Sequence, residues 1–478
     1  MCKADNYHIL ILYRNIILSS QKNTMKSSLI KKYDVPGPRY TSYPTVPFWK
    51  NDPLSEEEWI SSLKANFKAF QSPEISLYIH LPFCESLCTF CGCHKRITKN
   101  HAVEQPYIDA LIKEWGMYQS LLPYAPEILE LHLGGGTPTF FAPEELIRLV
   151  RALFNAQTVD PTQVELSFEA HPLNTSDDHL KSLYDFGFRR LSLGVQDYNP
   201  TVQQAIHRIQ PFESVQKVHD QARALGYSSI SHDLVFGLPK QQMDDIINTV
   251  QKTLTLMPDR ISLYSYAHVP WVKGTGQRGF DESDLPKSEE KRALYETAKA
   301  MLLQAGYIEV GMDHFAREHD SLAIAFREKN LHRNFMGYTT QNTNTMIGLG
   351  MSSISDSWFG FAQNDKSVEG YKEQINAGKI PVFRGHLLQE EDLLIRKYIL
   401  DLMCHFETKL NTDPKWIELN QTLQNDLKEL IEDGLVQIKE NVIRVTDIGV
   451  PFVRNVCMVF DQNLQKGIAT DRLFSRTI

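Results

Sequence analysis

Three cysteines stand four and three residues apart in Cys84-Glu-Ser-Leu-Cys88-Thr-Phe-Cys91, directly after the apolar run Tyr78-Ile-His-Leu-Pro82. Spacings this short let three thiolates close around one inorganic group from a single loop. Three thiolates satisfy three irons of a 4Fe-4S cluster and leave the fourth iron open, whereas an electron-transfer ferredoxin supplies four. An open coordination position implies chemistry on a bound ligand. The same residues also admit a structural zinc site, drawing on Cys84, Cys88, Cys91 and either Cys93 or His94, or a chance cluster of packed thiols. Structural zinc ligands usually come as two separated pairs, which this run lacks.

Other residues could serve a ligand bound beside such a group. Gly134-Gly-Gly-Thr-Pro138 offers backbone without Cβ atoms, which permits close approach, although a glycine turn alone reads equally as an anion cradle or a tight turn. Glu169 and Asp233 can accept hydrogen bonds from hydroxyls or an amine, Gln196 can donate and accept, and Arg208 can pair with a carboxylate. Taken singly, each reads first as an ordinary polar residue, since 23% of the chain is charged.

These residues gain meaning from the elements that must carry them. From Ile75 onward, short β-branched or leucine-rich runs alternate with amphipathic stretches, the pattern of repeated βα units around a parallel sheet. Strands are expected at Ile75–Leu81, Ile128–Leu133, Gln163–Ala170, Arg189–Gln196, Ser228–Phe236 and Arg260–Ala267. Helices are expected at Gln105–Leu121, Pro143–Asn155, Ser176–Phe186, Pro211–Leu225, Gln242–Leu256 and Ser288–Ala305. Six units fall short of a closed eight-stranded barrel. In βα barrels the loops at the carboxyl ends of strands build the active site. Here those ends carry the cysteines, Gly134–Pro138, Glu169, Gln196, Asp233 and Ala267.

Beyond the last unit, Phe280–Ser288 reads as an acidic connection and Gly337–Gly350, rich in threonine, asparagine and glycine, as loop. A separate helical module starts at Leu387, and Leu427–Val445 reads as a helix, a turn and two short strands, like a winged helix. Residues 387–461 hold 14 acidic against 8 basic side chains, which argues against DNA binding and for a structural or lid module.

The 478 residues include 50 lysines and arginines against 58 acids, a net charge of −8, the wrong sign for a nucleic-acid protein. Of seven cysteines, Cys84, Cys88, Cys91 and Cys93 are packed together, while Cys2, Cys404 and Cys457 stand apart. That distribution suits metal chemistry in a reducing cytoplasm rather than a secreted disulfide scaffold. Tyr7–Leu18 is apolar but is interrupted by Arg14 and is far short of a membrane span. Met25 is a plausible start, so residues 1–24 are expected to be an overlong start or an extension. No membrane association is expected.

The CxxxCxxC spacing on a first βα loop resembles the signature of the radical S-adenosylmethionine (SAM) superfamily. More of the chain sharpens the likeness: Tyr33-Asp-Val-Pro-Gly-Pro-Arg-Tyr-Thr-Ser-Tyr-Pro44, Leu77–Cys84, Cys91-Gly-Cys93-His94, Leu131–Thr139, Leu191–Asp197, His207-Arg-Ile-Gln210 and Asp233–Pro239 together resemble the oxygen-independent coproporphyrinogen III oxidase family, from about Leu29 to the carboxyl end. The resemblance implies an α/β fold: a partial, six-unit βα barrel of the radical SAM type with an N-terminal extension and a mainly helical, winged-helix-like C-terminal domain. The expected divisions are an N-terminal substrate-covering segment (25–74), the barrel (75–310), a barrel extension and connecting segment (311–386) and the C-terminal domain (387–478).

The family also implies two propionates of coproporphyrinogen III converted to vinyl groups in haem biosynthesis, with a 4Fe-4S cluster and two SAM molecules as cofactors. Carried over by position, Cys84, Cys88 and Cys91 are the cluster ligands. Tyr78, Phe90, Gly135, Gly136, Thr137, Glu169, Gln196, Arg208, Asp233, Ala267 and Ile354 are expected to contact SAM. Cys93 and Tyr78 are the catalytic candidates, Cys93 for a proton or electron role, with a packed thiol as its alternative. The His207 position often carries asparagine in the family. Four propionates need cations, and Arg39, Arg333 and Arg384 are the candidates. An unidentified electron donor and acceptor are implied, and a cytoplasmic monomer is the default. A competing reading is a haem chaperone on the same scaffold, whose members typically lack the second cysteine of Cys91-Gly-Cys93 and the Pro36–Pro44 lead-in.

Overall fold

The computed structural model describes residues 27–49, 54–155, 159–270, 276–466 and 474–477, so the reading of residues 1–24 lies outside them. Strands β1 (Glu74–Leu81), β4 (Glu127–Gly135), β5 (Glu165–Ala170), β6 (Arg190–Gln196), β7 (Ser229–Phe236) and β8 (Arg260–Ser265) occupy the six expected places. Between β1 and β4, β2 (Phe83–Cys84) and β3 (Arg96–Ile97) form a small two-stranded ribbon. Helices Glu104–Leu121, Pro143–Leu153, Asp177–Phe186, Phe212–Leu225, Met243–Leu256 and Ser288–Gln304 alternate with the strands.

Their ends follow local chemistry. Ser176 caps the third of these helices by accepting from His179 N, and Gly187, at φ 135°, ends it. Strand interiors such as Leu77, Ile79, Leu131, Leu133, Leu193 and Leu263 are fully buried among helix residues including Trp115, Leu149 and Val250, forming one continuous core.

β1, β4, β5, β6, β7 and β8 pair in that order, all parallel. On one edge β8 is followed by β10 (His314–Arg317) and then β9 (Tyr307–Val310), both antiparallel pairings. The other edge corrects an expectation. Gly337–Gly350 is not simply loop: β12 (Gly337–Thr339) pairs with β11 (His332–Asn334), and β13 (Thr345–Leu349) adds parallel to β1. All five residues of β13 are buried, so the run has no polar alternation to betray it, and its polar flanks gave the loop signal. Antiparallel β14 (Ile354–Ser357), β15 (Gly360–Asn364) and β16 (Val382–Leu387) complete a twelve-stranded open sheet.

The secondary structure of the C-terminal module follows the expected helix, turn and two short strands. Helix Glu390–His405 leads to β17 (Glu407–Lys409), and helix Lys428–Glu432 precedes the hairpin of β18 (Val436–Lys439) and β19 (Val442–Val445), with β19 pairing to both others. Its core is not its own. Leu29, Tyr33, Tyr40 and Tyr43 from the amino-terminal segment pack with Ile395, Leu402, Phe452 and Phe460. Among the described residues no helix is long and apolar enough to cross a membrane.

Candidate active site

β1 delivers the chain into the cysteine loop at Pro82. A loop without regular structure must find partners for its backbone groups, and here they come from three directions. Arg96 N donates to Pro82 O at 2.8 Å and Thr98 N to Cys84 O at 2.9 Å, which closes the loop on itself. Thr89 N and Oγ1 donate to the carbonyls of Ile206 and Ala205, at 2.9 and 3.1 Å, while His207 Nδ1 lies 3.0 Å from Leu87 O. Lys95 Nζ donates to the carbonyls of Cys91 and Cys93, at 3.1 and 3.2 Å. The His207 position therefore staples the segment bearing Arg208 to the cysteine loop.

A cavity of about 420 Å³ opens at the carboxyl ends of the parallel strands. Its lining brings together Cys84, Cys88, Cys91, Cys93, Phe90, Gly135, Gly136, Thr137, Glu169, Gln196, Arg208, Asp233 and Ala267. Cys84, Cys88 and Cys91 are half-buried and Cys93 is exposed. The glycine turn is tight for a reason: a Cβ on Gly136 would stand 2.6 Å from the Pro82 carbonyl and 3.1 Å from Cys84 Sγ. Gly135 has φ 115°, where a side chain would be strained and would also strike His80. Thr137 Oγ1 donates to Cys84 Sγ at 3.3 Å.

Arg208 crosses from the far side. Its Nη2 donates to Gly194 O at 2.7 Å and its Nη1 lies 3.8 Å from Cys88 Sγ, while its buried Nε has no partner among the described residues. A side chain at residue 194 would collide with that guanidinium at 2.7 Å. Gln196 sits at φ 67°, in the left-handed region, where the β6–β7 register slips, and this turns the strand end into the mouth.

Two carboxylates face the cavity from β5 and β7. Glu169 accepts from Gly135 N at 3.3 Å and lies 3.5 Å from His132 Nε2. Asp233 accepts from Ser192 Oγ at 2.8 Å, and burial raises its carboxyl to about 6, with the Glu169 charge adding to the rise. Burial also pushes the Cys84 thiol up to about 11. Cys91 is drawn down to about 6, chiefly by its hydrogen bond with Cys93, whose own thiol is held well above the usual range.

Tyr78 stands one layer below the cavity. Its ring stacks on His132, with centroids 6.1 Å apart, and would be 3.0 Å from a Cβ on Gly134. Its hydroxyl is 3.1 Å from His80 Nδ1, and His80 Nε2 is 2.9 Å from His94 O. Burial keeps His80 neutral. A carbonyl only accepts, so Nε2 carries the proton and Tyr78 donates to Nδ1.

Other expected residues lie outside this lining. Ile354 opens β14, opposite Gln363, with its carbonyl against Gly348, itself the register partner of Tyr78. Arg39 reaches Asp313 Oδ2 at 3.2 Å and the carbonyl of Ser265, a residue of the cavity wall, at 3.4 Å. Arg333 is 5% exposed, donates to Tyr40 O and Arg39 O at 3.3 Å each, and stacks on Tyr338. It braces the segment that carries Arg39. Arg384 lies on β16.

Gln277 is a functional contact that no sequence motif announces. Its amide donates to Ala267 O at 2.7 Å and Phe90 O at 3.2 Å, and its Oε1 accepts from Val269 N at 2.6 Å. It thereby ties the cysteine loop to the end of β8.

Among the described residues no three His, Cys, Asp or Glu side chains are gathered closely enough to chelate a single metal ion. The fit is to a broader group: three thiols lining one cavity, a glycine cradle fitted against Cys84, and the Arg208 guanidinium, with Nη1 beside Cys88 and Nε unpartnered among the described residues. Glu169 and Asp233 add acceptors for a ligand seated on that group.

A family model described as the radical SAM superfamily matches residues 78–253. The oxygen-independent coproporphyrinogen III oxidase of Helicobacter pylori (strain J99) is 37% identical over 463 residues, covering 95% of this chain and all of that protein. The protein of the same name from Escherichia coli (strain K12) is 37% identical over 471 residues, covering 96% of this chain and all of its own. The solved structure of the Escherichia coli coproporphyrinogen III oxidase, described as a radical SAM enzyme, superposes with a TM-score of 0.84 at 36% identity, covering 92% of this chain and 99% of that one.

Proposed function

The chain belongs to the oxygen-independent coproporphyrinogen III oxidases, and on that premise we propose how its own residues carry out the oxidative decarboxylation of coproporphyrinogen III to protoporphyrinogen IX. Cys84, Cys88 and Cys91 would hold a 4Fe-4S cluster. When bound, the cluster and SAM supply a 5′-deoxyadenosyl radical at the cavity mouth.

The remaining residues bind, orient and shield. The Arg208 guanidinium, 3.8 Å from Cys88 Sγ, pairs with the methionyl carboxylate of SAM beside the cluster. Gly135, Gly136 and Thr137 let the ligand approach the backbone, and Glu169, Gln196 and Asp233 take its amine and ribose hydroxyls from three adjacent strands. Phe90 packs with Val202, Ile206, Val235 and Tyr266, and Gln277 clamps that wall shut, which keeps water from the reacting centre. Tyr78 and His80 support the floor, and Cys93, hydrogen-bonded to Cys91, is placed for a proton or electron role.

At the substrate, each of two propionates gives up one hydrogen atom from its β-carbon. Its carboxylate then leaves as carbon dioxide and one electron passes to an acceptor, which leaves a vinyl group. Two propionates require two molecules of SAM. Arg39, projected to the cavity wall by the amino-terminal segment, offers a cation to the substrate's carboxylates.

The convergence of the three thiols, the glycine turn, Arg208, Glu169 and Asp233 on one cavity carries this reading. Anaerobic reconstitution with iron and sulfide tests it. About four irons per chain, and a cluster spectrum that changes when SAM is added, are expected. A reconstituted protein whose cluster spectrum ignores SAM would refute the assignment.

A further inference from the structure

The mouth has a second wing. β14, β15 and β16 alternate in direction beside β13, so Ile354, Gln363 and Arg384 all stand at the end where the cysteine loop lies. A chain of hydrogen bonds runs across it. Arg384 Nε donates to Gln363 Oε1 at 2.8 Å, Gln363 Nε2 donates to Ser352 O at 3.1 Å, and Ser352 Oγ hydrogen-bonds His94 Nδ1. Arg384 is thus aimed from β16 and tied back to the residue that follows Cys93.

The charges on this wing have no counter-ions among the described residues. Neither Nη of Arg384 has a protein acceptor there, and the nearest aromatic face is Trp49, 5.6 Å from the guanidinium. Among the described residues Lys366 Nζ has no ion pair, and it lies 4.8 Å from the Phe383 ring. The neighbouring Asp365 carboxylate accepts from Ser367 N and Oγ at 2.8 Å and from Gln374 Nε2 at 3.4 Å. Arg384, Lys366 and Lys95 all act to lower His94, which stands at about 4 with burial as the largest cause, and Arg384 also lowers Lys366. Like charges gathered without a carboxylate disfavour the folded state, and an anion seated among them removes that cost. Trp49 stacks on Phe361 beside the site, with centroids 5.5 Å apart and planes 6° apart, giving it one flat apolar wall.

We propose that Arg384 and Lys366 form a carboxylate subsite that holds a non-reacting propionate of the tetrapyrrole, on the wing opposite Arg39. The inference rests on the function proposed above. A recessed arginine fork beside an aromatic wall suits a carboxylate borne on a flat ring, and it adds a cation on the wing away from Arg39, whose own charge is shared with Asp313.

The test is Arg384→Gln and Lys366→Gln in the reconstituted holoenzyme, with anaerobic turnover of coproporphyrinogen III. A second readout is equilibrium binding of coproporphyrinogen III and of its tetramethyl ester. Arg384→Gln should raise KM and the Kd for the acid about 10- to 100-fold with kcat changed little, and should leave ester binding as it was. Lys366→Gln should act the same way more weakly, and Arg384→Lys should restore part of the loss. Iron content and melting temperature report whether each variant folds, and the Lys366 variant keeps the test open if Arg384→Gln does not. Unchanged KM and Kd in a folded variant would overturn the subsite, as would equal losses for acid and ester. A defect seen with an acidic 2Fe-2S ferredoxin as reductant, but absent with dithionite, would assign the cations to the electron donor and also overturn it. If the unsubstituted protein neither binds nor turns over coproporphyrinogen III, the proposed function itself falls, and the subsite with it.

Discussion

Arg454, on the helix Val453–Phe460, donates Nε to the carbonyl of Pro38 at 2.8 Å, across 416 residues of sequence. Its Nη2 donates to Gly37 O, and its Nη1 to the carbonyls of Arg476 and Thr477 at 3.3 and 3.2 Å. Gly37 N and Thr477 N return hydrogen bonds to Ser475 O and Val35 O, at 3.0 and 2.8 Å. One buried guanidinium therefore joins the carboxyl terminus to the segment that places Arg39 at the cavity wall. Burial lowers Arg454 to about 9, and carbonyl dipoles rather than a carboxylate solvate its charge.

Replacing Arg454 with alanine leaves four carbonyls short of a donor, three of them buried. Unfolding in denaturant should show a loss of about 3 kcal/mol, and Arg454→Lys should recover only part, since one ammonium cannot span acceptors on both segments. An unchanged unfolding midpoint would show that the clamp is dispensable.

Cys88→Ser should lose the cluster while keeping the fold. Cys88 lies in a loop held by contacts at Thr89, Lys95 and Thr98, none of which uses its side chain. Iron analysis and far-ultraviolet circular dichroism check this together, and full iron content in the variant would remove Cys88 from the ligand set.

Arg208→Ala should weaken SAM binding about 10- to 100-fold with iron content unchanged. The readout is equilibrium dialysis with labelled SAM. Wild-type affinity would separate Arg208 from the ligand and leave it as the brace on Gly194 O.

SAM binding should depend on pH through Asp233. Burial holds its folded carboxyl at about 6, so the group is ionised above that pH and neutral below it. An ionised carboxylate is the stronger acceptor for ribose hydroxyls or an amine. Affinity should be flat above pH 6 and fall as the pH drops through 6, and Asp233→Asn should flatten the profile at the weaker level. Stability runs the other way: the folded carboxyl binds its proton more tightly than the unfolded one, so between about 4 and 6 this group favours the folded state as the pH falls. A profile in the parent protein that is flat from pH 5 to 8 would place Asp233 outside the binding site.

Local signals made much of this molecule legible in its sequence. The six strands from β1 to β8 and their helices stand within a few residues of their expected places, because each is a compact apolar run bounded by glycine, proline or a capping residue such as Ser176. The residues at the strand ends share one cavity because parallel strands present their carboxyl ends on one side. What escaped is non-local. β13 pairs with β1 across about 270 positions and is buried on both faces, so neither spacing nor alternation announces it. The shared core of Tyr33 and Tyr40 with Phe452 and Phe460 joins opposite ends of the chain. Arg333 offered a cation at the sequence level, and the fold sets its Nε and Nη2 on Tyr40 O and Arg39 O while the buried Nη1 has no partner among the described residues, an arrangement no local pattern encodes. Gln277 acts through amide contacts to three separate backbone groups, which no motif encodes.

The most direct measurement of the central claim is the stoichiometry of anaerobic turnover. The reduced, reconstituted protein is incubated with SAM and coproporphyrinogen III, and 5′-deoxyadenosine, carbon dioxide and protoporphyrinogen IX are counted in the same vessel. Two deoxyadenosines and two molecules of carbon dioxide per protoporphyrinogen are predicted. Deoxyadenosine formed without any decarboxylated tetrapyrrole, from a protein carrying a full cluster, would contradict the account.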